Sequence, residues 1–217
     1  MADESWGTLL PALLRQAGVA DTSGMRIEAL TGGVSSDIVR VQLAGGRQFC
    51  AKRALAKLKV ASDWRAPLER NHYEVAWLRR AGRLVPGIAP EVFGEDRQHG
   101  IALLEYLPPQ DFALWKAELL AGRAAPGVAG AVGDALGRIH AGTLGDAAVA
   151  RDFATDHLFE ALRLDPYLRF TAGRHPELAD HILEVLATTA GTRLALVHGD
   201  VSPKNILISR QDGHPVL

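Results

Sequence analysis

The chain has 217 residues, 47% of them apolar, with 24 Lys and Arg against 25 Asp and Glu and a single cysteine, Cys50. That length admits one large domain or two small ones around a sizeable core; near-neutral charge argues against a nucleic-acid groove or a basic membrane patch, and one cysteine excludes a disulfide framework. No run approaches the ~18 apolar residues of a spanning helix, and the polar start "MADESWG" lacks a signal pattern, so the reading is a cytoplasmic protein without nucleic-acid or membrane partners.

In chain order, Leu9, Leu10, Leu13 and Leu14 lie at helical spacing and predict a helix over 5–17 that stops at Gly18. The period then changes to two. Residues 25–30, 37–43 and 48–54 alternate like strands, the last two joined by a tight turn at Gly45-Gly46. Residues 66–82 read as a helix with Leu68, Val75 and Leu78 on one side and Gly82 as its cap. Two more strands are expected at 91–94 and 101–106. After Pro108-Pro109 the strand signal nearly vanishes, and 129–142 and 175–191 read as helices. A β-rich part over 20–107 followed by a helical part makes an α+β chain.

The sequence then turns apolar, polar and apolar. Strand-like runs at 194–197 and 206–208 flank "HGDVSPKN", in which Asp200 and Asn205 stand five positions apart. By itself such a pair is often an Asx-turn aspartate and a loop asparagine. With His198, Gly199 and Pro203 in place, however, the run resembles the catalytic loop of protein kinases. The form H-G-D-x-x-P-x-N is more similar to that of aminoglycoside phosphotransferases and related small-molecule kinases, among them choline, fructosamine and methylthioribose kinases. The resemblance extends from about residue 20 to the end.

The resemblance implies a two-lobe, protein-kinase-like fold, with a nucleotide-binding, β-rich N-lobe over 1–107 and a mostly helical, incomplete C-lobe over 108–217. It implies transfer of the ATP γ-phosphoryl group, with Mg²⁺, to a hydroxyl of an aminoglycoside-, choline- or sugar-like small molecule. Such transfer rests on positioning and charge neutralisation rather than covalent help. Asp200 would accept or orient the acceptor's hydroxyl proton, and Asn205 would hold Mg²⁺ through its amide oxygen. His198 is expected to bond backbone near the loop.

Other elements follow the same order. Gly32 and Gly33, between two strands, let backbone N–H groups approach phosphate oxygens, with Ser35 and Ser36 as hydroxyl donors. A double glycine also serves an ordinary hairpin. Lys52 on the third strand shares a face with Cys50, opposite Phe49, Ala51 and Arg53. It resembles the lysine that meets the α- and β-phosphates, although a solvated strand lysine reads the same in isolation. Glu74 is its candidate ion-pair partner, with Glu69 as competitor. Glu105, Tyr106 and Leu107 resemble the hinge whose backbone bonds adenine.

The chain ends at Leu217, after a strand, a turn at Asp212-Gly213 and the start of a second strand. In the family an Mg²⁺-binding aspartate follows. The expected alternative is therefore a non-catalytic nucleotide-binding pseudokinase or an inactive fragment. The remaining histidines show no metal-ligand spacing. Asp152, Asp156, Glu160 and Asp165 read as a solvated helix face rather than a site for a cationic sugar.

Overall fold

The computed structural model describes residues 5–30, 33, 35–59 and 64–217. Their contacts divide the chain into two compact units, Met1–Gly133 with Val201–Leu217, and Asp134–Asp200.

In the first unit, α1 (Ser5–Gln16) buries Trp6, Leu10, Leu13 and Leu14, each worth roughly 1.5–3 kcal/mol. Gly18, at φ +73°, reverses the chain so that the Val19 N–H reaches the Leu14 carbonyl at 3.0 Å. An antiparallel sheet follows, built from β1 (Arg26–Ala29), β2 (Ser36–Gln42), β3 (Gln48–Ala54), β4 (Val92–Asp96) and β5 (Ile101–Glu105). Its strand order is β1-β2-β3-β5-β4. The β2–β3 turn closes with Gly46 at φ +85° and the Leu43 N–H on the Arg47 carbonyl at 2.9 Å.

Strand alternation decides what each face carries. Phe49 and Ala51 are buried while Cys50 and Lys52 are half-buried. Phe49 and Ala51 join Val39, Val41, Ile101 and Leu103 in one core with the leucines of α1. Helix α1 passes so close to β4 that a Cβ on Gly94 would lie 3.1 Å from Gln16 Oε1 and 3.3 Å from the Leu13 carbonyl.

Helix α2 runs Arg70–Leu84, later than the expected 66–82. Residues 64–66 are used elsewhere: Arg65 bridges Lys57, and the Ala66 N–H bonds the Ala56 carbonyl at 3.0 Å. Pro67 also disfavours helical backbone at Ala66. At the far end Gly82 is not the cap. The helix continues to Leu84, and the Val85 N–H closes it on Ala81. Val75 and Leu78 are buried as expected, along with Trp77, whereas Leu68 is only half-buried and lies ahead of the helix.

A second sheet, β6 (Phe112–Leu114), β7 (Leu207–Ser209) and β8 (Pro215–Val216), has the order β6-β7-β8. The strand–turn–strand at its end is as the sequence predicts, with Gly213 at φ +75°. β6 is not foreseen. α3 (Trp115–Leu120) continues directly from it.

The second unit holds the part of α4 (Pro126–Ala141) from residue 134 on, α5 (Ala147–Asp152), α6 (Asp156–Phe159), a wide π-helical segment Glu160–Arg169, α7 (Phe170–Arg174) and α8 (Ala179–Gly191). Its core contains Ile139, Val149, Leu158, Leu164, Leu186 and Leu196. Asp146 caps α5, its carboxylate accepting from the N–H groups of Ala148 and Val149 at 2.8 and 3.1 Å. The expected strand over 194–197 does not form. Leu194 and Val197 are 66% and 55% exposed. The backbone bonds of this run go instead to the segment after α4: the Leu194 carbonyl accepts from Gly145 and the Leu196 N–H donates to Thr143 Oγ1 at 3.0 Å.

The fold is thus mixed α/β, with a β-sheet first part and a helical second part. Among the described residues no helix is long and apolar enough to cross a membrane.

Candidate active site

In the first unit, the side chain of Lys52 leaves β3 on the face opposite Phe49 and forms an ion pair with Glu74 of α2. Alternation on β3 and the helical phase of α2 produce this contact together. Arg53, one residue on, points the other way. Its guanidinium donates to Ser5 Oγ at 2.7 Å, pairs with Asp37 at 3.2 Å and stacks 4.9 Å from the Trp6 ring centre. Cys50 shares the Lys52 face. Burial pushes its thiol up to about 11, although the nearby Lys52 charge pulls the other way.

Of the glycine turn, Gly32 lies outside the described residues. Gly33 has φ +116°, and a Cβ there would meet the Ser36 carbonyl at 3.4 Å, so the turn requires glycine. Ser36 is buried and opens β2; Ser35 is half-buried. Ser35 is held from behind by Arg70, a residue the sequence reading did not single out. One Arg70 nitrogen donates to the carbonyls of Ser35 and Leu55 at 2.8 and 2.6 Å, and another to those of Ala66 and Pro67 at 3.0 and 2.8 Å. Desolvation lowers the Arg70 pKa, and the charge of Glu74 works against that shift. Arg70 thereby ties the end of the glycine turn to the helix that carries Glu74.

Glu105 ends β5 opposite Phe49. Its N–H donates to the Glu91 carbonyl at 2.8 Å, so that donor belongs to the sheet. Tyr106 lies beneath the Arg40 guanidinium, 5.7 Å from its ring centre. Glu105 and Leu107 line a recess of about 240 Å³ with Gly87, Phe112, Ser209 and His214. Asn205 is exposed on a 3₁₀ turn, Pro203–Asn205. The turn is fixed by the Asn205 N–H on the Ser202 carbonyl at 2.8 Å and by fully buried Ile206.

In the second unit, Gly199 at φ +79° turns the chain into Asp200. The Asp200 N–H donates to His198 Nδ1 at 3.2 Å, so His198 bonds loop backbone as expected. The Asp200 carboxylate is paired with Arg163 at 3.2 Å. Arg163 is the residue that sequence reasoning missed, because 37 positions separate it from Asp200 and its own segment carries no motif. Three of the four acidic residues are engaged by arginines: Asp156 with Arg193, and both Glu160 and Asp165 with Arg169. Among the described residues no group of three His, Cys, Asp or Glu is arranged to hold a metal ion.

A strand lysine paired with a helical glutamate, followed along the chain by an H-G-D loop and its asparagine, defines a kinase-like phosphotransferase. The chain belongs to the phosphotransferase enzyme family, APH, whose sequence profile matches residues 26–217. Among solved structures it is similar to one from Thermobifida fusca YX-ER1 assigned as a fructosamine-3-kinase. The TM-score is 0.52 at 20% identity, covering 94% of this chain and 71% of that one. It is also similar to the choline kinase LicA from Streptococcus pneumoniae, with a TM-score of 0.50 at 14% identity, covering 94% of this chain and 66% of that one. No curated protein matches the chain in sequence.

Proposed function

We propose that the protein transfers the γ-phosphoryl group of ATP to a hydroxyl of a small molecule. The Lys52–Glu74 ion pair carries this reading. A carboxylate that orients a lysine on the glycine-turn side of a sheet is a phosphate-gripping arrangement, whereas a solvated strand lysine needs no such partner. Lys52 holds the α- and β-phosphates. Gly33 and Ser35, with Gly32 and Ser36 beside them in the chain, form the turn over the phosphates, and the backbone of the Glu105–Leu107 segment meets adenine. Asp200 orients the acceptor hydroxyl and takes its proton.

Asn205 is the residue of this chain that would contribute to a magnesium site. Asn205 offers a hard amide oxygen on an exposed turn, and Mg²⁺ takes many of its ligands from water and phosphate oxygens. When bound, the ion neutralises charge building on the phosphoryl group. The acceptor is proposed as a small alcohol of the amino-sugar, choline or sugar type.

The test is phosphate transfer from ATP to a panel of such alcohols by the protein and by Asp200→Asn. The substitution preserves shape and removes a base worth ~10²–10⁴ in rate. The expected result is a folded variant with kcat reduced by at least about 100-fold. A drop below about fivefold would remove Asp200 from the chemistry.

A further inference from the structure

We propose that Arg163 is the positioning residue for Asp200. The inference rests on the reading of Asp200 as the group that meets the acceptor hydroxyl. It comes from an arrangement within the second unit alone. Three nitrogens of one guanidinium serve three acceptors: Nη2 pairs with Asp200 Oδ2 at 3.2 Å, Nε donates to the Gly199 carbonyl at 2.6 Å, and Nη1 donates to the Leu162 carbonyl at 2.8 Å. The planar fork therefore fixes both the carboxylate and the peptide that precedes it. The rigid guanidinium does this where a lysine ammonium would not.

The third anchor is local: Arg163 lies in the π-helical segment Glu160–Arg169, and its Nη1 takes the carbonyl of the residue before it, so the guanidinium is held by its own segment while it reaches the loop. From the other side, the His198 ring accepts the Asp200 N–H. The catalytic carboxylate is thus fixed through its backbone and through one of its oxygens. The pair is not a core element: the Arg163 and Asp200 side chains are 29% and 37% exposed, so it contributes little to stability by itself. It constrains direction in a reaction that depends on placement.

The experiment compares Arg163→Ala, Arg163→Lys, Asp200→Asn and the double variant Arg163→Ala/Asp200→Asn. Melting temperature, kcat and both KM values are measured, with and without added guanidinium ion. Arg163→Ala is expected to lower kcat about 10–100-fold, the scale of a misplaced reacting group. Both KM values should stay within about threefold, and the melting temperature should be nearly unchanged. Guanidinium ion should restore part of kcat to Arg163→Ala and none to Asp200→Asn. Arg163→Lys keeps the charge without the fork and should recover only a fraction. In the Asp200→Asn background the Arg163→Ala change should cost nothing further, because the two residues act as a unit.

Unchanged kcat in Arg163→Ala, or a loss that repeats in full in the Asp200→Asn background, overturns the proposal. If Arg163→Ala fails to fold, full activity in folded Arg163→Lys does the same. An Asp200→Asn variant that retains activity instead sinks the reading of Asp200 itself.

Discussion

Two neighbouring cations on β3 should separate activity from stability. Lys52 and Glu74 are 25% and 41% exposed, and an ion pair that open is worth ~0.2–1 kcal/mol. For a chain of this size 1 kcal/mol shifts the melting temperature by about 2–4 °C, so Lys52→Ala should lower it by no more than about 4 °C. The same change removes the proposed phosphate donor and should lower kcat/KM for ATP about 10²-fold. Glu74→Gln should act in the same direction, and the double variant should lose little beyond Lys52→Ala alone. Arg53→Ala should do the reverse. It removes a hydrogen bond to Ser5, a part-exposed ion pair to Asp37 and a cation–π contact with Trp6, together about 2 kcal/mol. That corresponds to about 4–8 °C, with kcat/KM kept within about threefold. Thermal melting by circular dichroism beside steady-state ATP kinetics reads both axes. Equal effects at positions 52 and 53 would refute the reasoning from strand alternation.

Cys50 is expected to resist thiol reagents, because a rise from 9.0 to about 11 cuts the thiolate fraction at pH 8 about 100-fold. Labelling by a disulfide reagent should be slower by at least that factor in the native protein than in denaturant; comparable rates would place the thiol at the surface. Thr143→Val should leave the Leu196 N–H without its side-chain acceptor and cost ~1–3 kcal/mol, while Thr143→Ser melts near the parent. A valine variant as stable as the parent would mean that another acceptor reaches Leu196.

The sequence was most informative where one physical signal acted alone. Period-two alternation over 48–54 placed Phe49 and Ala51 inward and Lys52 outward, and the sheet keeps that register. Glu74, which the family resemblance offers as the partner of Lys52 with Glu69 as competitor, makes that contact. Legibility failed where tertiary contacts competed with local preference. Ala66 reads as the first residue of a helix, but its N–H bonds the Ala56 carbonyl. Residues 194–197 have the apolar run of a strand, yet no strand pairs with them among the described residues, and Thr143 takes the Leu196 N–H. β6 is only Phe112–Leu114 and runs straight into α3, too short for alternation to register. The Arg163–Asp200 pair was illegible for another reason: 37 positions separate the two residues, and the arginine's own segment carries no motif.

The three-stranded sheet has a consequence for the order in which the chain organises. β6 meets β7 across Phe112 and Ser209, 97 positions apart, while β2 and β3 meet first across Gln42 and Gln48, six apart. Closing the longer loop costs about 2.5 kcal/mol more in chain entropy, on the logarithmic dependence of closure on length. The β2–β3 hairpin can therefore pair as soon as it leaves the ribosome. β6 must wait, its edge open, through the synthesis of the whole second unit. Its partner strand arrives together with the loop residues Asp200 and Asn205. The loop that carries Asn205 is consequently among the last parts of this chain to acquire a fixed geometry, and the bonds that flank it, the Arg210 N–H on the Asp111 carbonyl and the Trp115 N–H on the Ile206 carbonyl, form only once that long loop has closed.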